Sequence, residues 1–522
     1  MQFSFRTDPT IVLHGYSPEA PADILKRVST GTKPSSLKGD FILVADGIDR
    51  DSGKPLTIFI STVVSAIPYF YYQTPTACVH AANVFDCCRA AQLPWEWDYQ
   101  ALAQVALFDH VLANRSLHAK IQRVPAASIM ISTGGKLQIE TEPFWQEAYQ
   151  SNRYDSRIQD AGSLLVELLS ELPEHNNFSL SLSAGYDSRA LLAGLSHLKR
   201  NVQTGCMGNA EATDPCIAAQ LAQATGYPFS RVDLTAEDYP AAAENILKVT
   251  SGEKVFLHWH TGIYAQKVPF NPAAIHLAGS NGEFARSSLF DKGFIASALD
   301  MLHVSGWDKW IERQHQVNRC IAAEISTTLS PNSAFVQALN PRRMAQSVYQ
   351  PGYRFGDGLD LFYATQRVRN FIGLGIALYR TRFTTTSPFL DARFIRYAIG
   401  LRRADKLANR FPRTVISQLQ PKLLDFPTDE SGIPMKTKPS LLYFRSAKGG
   451  IKPYQRTTEA QSLPAVAAWA QAGYQALGGD LAQLSTNELL RHRVGQWNFA
   501  ITVGATLELI TKLEITHSSS TH

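Results

Sequence analysis

The stretch Phe178-Ser179-Leu180-Ser181-Leu182-Ser183-Ala184-Gly185-Tyr186-Asp187-Ser188-Arg189 decides how this chain is read. Phe178 to Leu182 alternates apolar and polar residues, the period of a strand. A tight turn of small residues follows, and Leu191, Leu192, Leu195 and Leu198 recur at helical spacing, so a helix starts near Ser188. A strand, a small-residue turn and a helix make an anion site. Small residues admit a phosphate close to the backbone, hydroxyls and N–H groups donate to its oxygens, and the helix N-terminus adds partial positive charge. Phosphate would repel Asp187 in this loop unless a cation lay between them, which points to Mg²⁺. The string has no lysine and is not the G-x-x-x-x-G-K-[ST] loop.

Working outward, Leu164, Leu165, Leu168, Leu169 and Leu172 form a helical stripe stopped by Pro173. A second strand is expected over Val202–Met207, then a helix from Asp214-Pro215, with Asp214 as N-cap, to Gly226. Strands near Phe229–Leu234 and Ile275–Ala278 come next. Strands alternating with helices imply an α/β, doubly wound parallel sheet with ligands at the C-terminal strand ends. Before residue 145 the pattern changes to short alternating runs such as Phe41–Val44, Leu56–Ile60 and Ser128–Ser132, separated by turns, the mark of a largely antiparallel β domain. The apolar stretch Leu56–Tyr72 holds Ser, Thr and Pro68 and reads as one or two buried strands, not a membrane span. The expected layout is a β-rich domain over 1–145, an α/β domain with a helical lobe over 146–515, and a disordered tail over 516–522. Glu140–Arg157 is read as the linker, and beyond about residue 295 the chain is mainly helical.

The chain has 522 residues, enough for two or three domains. Its 50 basic and 45 acidic residues leave +5, with no clustered basic stripe, so nucleic acid is not expected as a partner. The six cysteines, Cys78, Cys87, Cys88, Cys206, Cys216 and Cys320, include no C-x-x-C pair and are read as reduced thiols of a cytoplasmic protein. MQFSFRTDPT lacks a basic region ahead of an apolar core, so no signal peptide is expected.

Ser183-Ala184-Gly185-Tyr186-Asp187-Ser188 resembles the S-G-G-x-D-S pyrophosphate loop of the N-type ATP pyrophosphatases, and among them the asparagine synthetase superfamily. That superfamily also holds β-lactam synthetases and lasso-peptide macrolactam cyclases. Further stretches match in order. Leu277-Ala278-Gly279-Ser280-Asn281-Gly282-Glu283-Phe284 resembles the strand-end S-G-x-G-[AS]-D-E-L-F. Ser387-Pro388-Phe389-Leu390-Asp391 matches the P-F-L-D box, and Arg413–Ile416 with Gly432–Lys436 occupies the place of a basic segment. At the front, Leu37–Phe41 and Ile67–Tyr72 resemble pieces of the glutaminase-like (Ntn-type) domain. The resemblance spans nearly the whole chain.

Its departures matter as much. Ala184 replaces the first glycine of the loop, which is tolerated if that position does not need positive φ. Glutamine-dependent members expose a cysteine directly after the initiator methionine. Here Gln2 stands there, no cysteine precedes Cys78, and an amide cannot replace a thiol nucleophile. No glutaminase activity is therefore expected. Ser280 stands where relatives carry a Glu or Tyr tied to proton transfer, and Thr384–Thr386 replace the acidic residue before the P-F-L-D box.

The resemblance implies an AMP-forming ligase that adenylates a carboxylate and joins it to an amine, by intramolecular closure of a peptide or small molecule. The alternative is ammonia-using amidation of a small metabolite or sugar acid. A tRNA-modifying relative would want a basic RNA face and catalytic cysteines. For the expected cofactors, ATP and Mg²⁺, the loop Ser183, Ala184, Gly185, Tyr186, Asp187 and Ser188 with Gly279 would hold the phosphates. Asp187 and Glu283 would hold the ion, and backbone around Cys206, Met207 and Gly208 would meet adenine. Lys436 and Ser280 are the catalytic candidates, Lys436 to stabilise charge on the reacting carbonyl. A cyclase would add a leader-peptide protease or recognition protein as partner. His258 and His260 flank Trp259 near the expected substrate pocket and are read as substrate contacts before a zinc site. Arg367, Arg369, Arg380 and Arg382 are read as mostly surface or ion-pair residues, and Asp391 as a cap or ion-pair partner.

Overall fold

Phe41, Leu43 and Ala45 point to one side of their strand and Ile42 and Val44 to the other, and both sets are buried. That two-sided burial sets the front of the molecule. The computed structural model describes residues 3–151, 155–174, 177–286, 329–330, 332–340, 344, 353, 355–428, 432–437, 454, 456–479 and 494–516. Strands β1 (Thr10–Tyr16), β2 (Asp40–Ile48), β3 (Pro55–Ser61), β7 (Ser128–Thr133) and β8 (Lys136–Thr141) form an antiparallel sheet in the order β1-β2-β3-β7-β8. The helix Pro21–Ser29 covers one face through Ile24, Leu25 and Val28. Tyr69 and Tyr71, from the region of a smaller sheet, cover the other. That sheet contains β4 (Phe70–Gln73), β5 (Cys78–Ala81) and β6 (Gln122–Arg123). The β7–β8 hairpin turns on Gly134 and Gly135 at φ 51° and 85°, the left-handed pair a two-residue turn requires.

The second sheet is parallel, in the order β11-β10-β9-β12-β13, from β9 (Phe178–Ser181), β10 (Val202–Met207), β11 (Phe229–Val232), β12 (Ile275–Leu277) and β13 (Thr384–Thr386). The chain runs outward from β9 to β11 and then returns to the other side of β9 to place β12 and β13. The order therefore reverses between β9 and β12, where an open α/β sheet leaves its ligand crevice. The mixed α/β architecture and the parallel sheet agree with the sequence expectation. The fifth strand, β13, was not expected: three consecutive threonines offer no apolar alternation, and Ile275↔Thr384 to Leu277↔Thr386 pairing fixes it.

Other expectations need correction. Glu140–Arg157 is not a bare linker, because it begins in β8 and contains the helix Phe144–Ser151, anchored by buried Phe144 and Ala148. Asp214 does not cap its helix; Ala212 holds that position, and Asp214 lies in the first turn of Thr213–Thr225. Thr516 is not part of a loose tail, since its carbonyl accepts from the Trp95 N–H at 2.6 Å; 517–522 lie outside the described residues. Nor does packing divide at residue 145. Phe70, Phe85, Trp95, Leu102 and Ile121 share one core with Tyr239, Trp259, Phe335, Trp469 and Ile510.

Buried arginines tie the halves together. Arg123 donates to Asn370 Oδ1 at 2.8 Å and to the carbonyls of Arg369 and Ser65. Arg369 is buried, against the surface role expected for it, and donates to the carbonyls of Ala113 and Val124. Both lie within electrostatic reach of Glu253, a fully buried carboxylate with no hydrogen-bond partner, whose pKa burial pushes up to about 8. These contacts clamp Tyr363–Ile372, a ten-residue π-helical segment between the helices Phe355–Phe362 and Gly373–Arg380. Wide turns of this kind recur at functional sites, and this one forms a wall of the cavity described next. Among the described residues no helix is long and apolar enough to cross a membrane.

Candidate functional site

A cavity of about 510 Å³ opens at the C-terminal ends of β9 and β12, at the reversal of strand order. One wall is the loop read first in the sequence, with Ser183, Gly185, Tyr186, Asp187 and Ser188 on its surface. Gly279, Ser280, Glu283 and Arg286 follow β12 on the same side. The opposite wall consists of Lys254, His258, His260, Thr261 and Phe371, with Ile372, Gly375, Ile376 and Tyr379.

The loop is held from behind. Ser183 N and Gly185 N donate to Ser188 Oγ and Ser183 Oγ, both at 3.1 Å, and Ala184 N donates to Asp214 Oδ1. Asp214 therefore shapes the loop. Ala184 is fully buried and has no positive φ, so the missing glycine costs no strain here. Its place behind the loop also means that it does not line the cavity. Three loop amides are satisfied internally, whereas the helix Asp187–His197 begins at the cavity, where first-turn N–H groups lack intrahelical acceptors. Buried Arg189 donates to the carbonyls of Ala184, Leu423, Phe426 and Pro427 and so ties the loop to the helical lobe.

Asp187 and Glu283 are brought together, as the sequence implied. Arg286, which sequence reasoning missed, lies between them, with Nη2 2.9 Å from Asp187 Oδ2 and 3.5 Å from Glu283 Oε1. Its i+3 spacing from Glu283 was the available signal. Burial, then repulsion from Glu283, raises the Asp187 pKa, and Arg286 opposes both. Asp187 Oδ1 is buried without a hydrogen-bond partner. Close approach explains two glycines. A Cβ on Gly282 would lie 2.5 Å from Asp187 Cγ, and one on Gly279 would lie 2.7 Å from Ser188 Cβ. Ser280 lines the cavity, and its carbonyl accepts from Ser387 Oγ at 3.1 Å.

The far wall carries opposite charge. Lys254 is 3% exposed, its ammonium lies 4.7 Å from the Phe371 ring centroid, and burial with nearby Arg367 lowers its pKa to about 8. Among the described residues no carboxylate lies within ion-pair distance of it. Burial, with Lys254 beside them, pushes His258 down to about 2 and His260 to about 4, so both imidazoles are neutral near pH 7. Below the loop, His276 stacks on Tyr379 with ring centroids 4.4 Å apart, and Ser181 Oγ donates to Tyr379 Oη at 3.0 Å.

Several expected site residues lie elsewhere. Lys436 is exposed and pairs with Asp425 at 2.8 Å, outside the cavity lining. Lys254 instead supplies a lysine to the cavity; its sequence signal was only an adjacent Glu253-Lys254 pair before an apolar run. Cys206, Met207 and Gly208 end the neighbouring strand but do not line the cavity. Cys206 Sγ faces Asp214 at 3.7 Å, and the Gly208 N–H is used by Val232. Asp391 caps Ala392–Gly400 and pairs with Arg393, as read. Among the described residues no three His, Cys, Asp or Glu side chains form a metal-ligating group.

No protein-family model and no curated protein matches this chain. The functional reading therefore stands on the cavity itself.

Proposed function

We propose that this chain is an ATP- and Mg²⁺-dependent, AMP-forming amide ligase that activates a carboxylate and passes it to an amine without hydrolysing glutamine. The observation that carries this reading is the convergence of Asp187 and Glu283, from the ends of adjacent parallel strands, on a cavity edged by hydroxyls and a helix N-terminus. Two facing carboxylates, one with an orphaned buried oxygen, fit a hard divalent cation that takes oxygen ligands. In this reading Asp187 and Glu283 hold the ion, and Arg286 supplies the counter-charge between them when the ion is away. When bound, Mg²⁺ neutralises charge on the phosphate oxygens. The hydroxyls of Ser183 and Ser188 and the first helical N–H groups would bind those oxygens, with Gly185 leaving room for them.

The chemistry then has two balanced steps. A substrate carboxylate oxygen attacks the α-phosphorus of ATP, and the bond to pyrophosphate breaks, leaving an acyl-adenylate. An amine next attacks the acyl carbon, loses a proton, and the bond to AMP breaks. Lys254 takes the role first given to Lys436, as an ammonium in a desolvated wall where it stabilises developing negative charge. His258 and His260, neutral and facing the cavity, are suited to accept a hydrogen bond from the amine and orient it, while their lowered pKa values leave the proton itself to solvent.

The front half supports an amine that does not come from glutamine. Burial pushes the thiols of Cys78 and Cys87 up to about 12 and that of Cys88 to about 11, which suits small hydrophobes and not nucleophiles. An amine carried by the substrate, closing a lactam or macrolactam, fits best; free ammonia acting on a small acid is the second reading. ATP–pyrophosphate exchange with a panel of acids and peptides tests the reading. Wild type should exchange with at least one, and the complete absence of both exchange and Mg-ATP binding would overturn it.

A further inference from the structure

The helix Gly373–Arg380 has a second cavity on another of its faces. Gly375, Ile376 and Tyr379 line the first cavity, whereas Ala377 and Arg380 line one of about 630 Å³ at the seam between the antiparallel and parallel sheets. Thr384 and Thr385 of β13 also line it, so it lies away from the C-terminal strand ends that carry the phosphate loop.

Its lining has one sign of charge. Lys248, Arg380 and Arg382 contribute cations and His14 an imidazole, and no Asp or Glu lines it among the described residues. The two arginines are incompletely neutralised. Arg380 Nη2 reaches Asp40 Oδ2 at 3.4 Å, but its Nη1 is buried with no hydrogen-bond partner. Arg382 donates from Nη1 to the carbonyls of Ala265, Gln266 and Val268, and among the described residues it pairs with no carboxylate. Lys248 pairs with Glu244 at the rim. Leu13, Ile67, Val249 and Phe383 give it an apolar side, and Asn83, Thr381, Thr384 and Thr385 add neutral polar groups. Among the described residues Arg380 Nη1 is the one terminal guanidinium nitrogen buried without an acceptor, and guanidinium groups select planar carboxylates and phosphates.

We propose that this seam cavity is a second ligand site, for a small organic anion whose carboxylate or phosphate head is held by Arg380 and Arg382 against an apolar body. Convergent polar groups on an apolar wall are the usual composition of such a site. The site does not depend on the ligase reading, since neither Asp187 nor Glu283 takes part in it.

Calorimetric titration of the full chain with hexanoate and with hexyl phosphate tests the site, with hexanol and hexylammonium as controls. At least one anion should bind with saturation at one equivalent and neither control should; the stronger anion identifies the preferred head group. Ala82→Glu, at the exposed rim, brings a carboxylate to the mouth and should weaken binding by about tenfold or more. Arg382→Gln should abolish binding, with its melting temperature reported alongside. Failure of both anions to bind overturns the proposal. So does equal binding of hexanol, or unchanged anion affinity in a folded Ala82→Glu protein.

Discussion

The two walls of the first cavity are built on opposite principles. The loop wall is acidic and backbone-rich, with Asp187 and Glu283 facing each other across Arg286. The far wall is cationic and aromatic, with Lys254 over Phe371 and two imidazoles kept neutral by burial. One wall stores negative charge that needs a cation, while the other stores positive charge that needs an anion. A ligand with phosphates and a metal at one end and a carboxylate at the other would relieve both.

The largest effect should come from breaking the acidic wall. Asp187→Ala is expected to reduce pyrophosphate exchange by at least ~10³-fold, because positioning and charge neutralisation supply most of the rate in phosphoryl-group chemistry. Its fold should persist, since Arg286 retains Glu283, and near-unchanged melting would show that the loss is chemical. Next comes Gly282→Ala, whose Cβ would meet Asp187 Cγ at 2.5 Å. Displacing that carboxylate by less than an ångström should cost about 10²-fold in exchange; unchanged exchange would mean that Asp187 need not be placed accurately.

Lys254→Met probes the cationic wall. Exchange should fall about tenfold or more, while stability rises, because a buried ammonium is replaced by an apolar chain of similar length. Lys254 has its folded pKa lowered from 10.5 to about 8, so between those values the unfolded chain binds the extra proton and wild-type stability rises with pH. The variant's advantage should thus be greatest below pH 8 and shrink toward pH 10.5, read from paired melting curves. A gap that does not change with pH would remove Lys254 as a desolvated cation. The smallest effects belong to residues that the sequence emphasised. Ala184→Gly should lower stability by about 0.5–1 kcal/mol through backbone entropy and leave exchange within about twofold. Lys436→Ala should change neither exchange nor melting measurably, its exposed pair with Asp425 being worth about 0–1 kcal/mol. A large loss there would restore the lysine that the sequence favoured.

What the sequence made legible was the acidic wall. Ser183–Ser188 and Gly279–Glu283 each lie within one short stretch at the end of one strand, so periodicity and local composition suffice to place them. The cationic wall joins Lys254 and Phe371 to His258, which the sequence had placed near the pocket, and they are brought together by the π-helical segment and by buried Arg123 from the front half. Nothing local marks Lys254 as buried or Arg369 as a core residue, because both facts are tertiary. The same holds for β13, which has no strand pattern of its own and exists through pairing with β12. Residue 145 teaches a related point: a change of periodicity marks a change of architecture, and a core can run through it.

The cluster of Arg123, Arg369, Asn370 and Glu253 bears on how this protein could be taken apart. A front half excised and replaced by another β-rich unit would remove Arg123, and Glu253 would face one guanidinium instead of two. The segment that presents Phe371 would lose its anchor at Asn370. The chain is thus not modular at its change of architecture. The front half serves as the mould in which the far wall of the cavity sets.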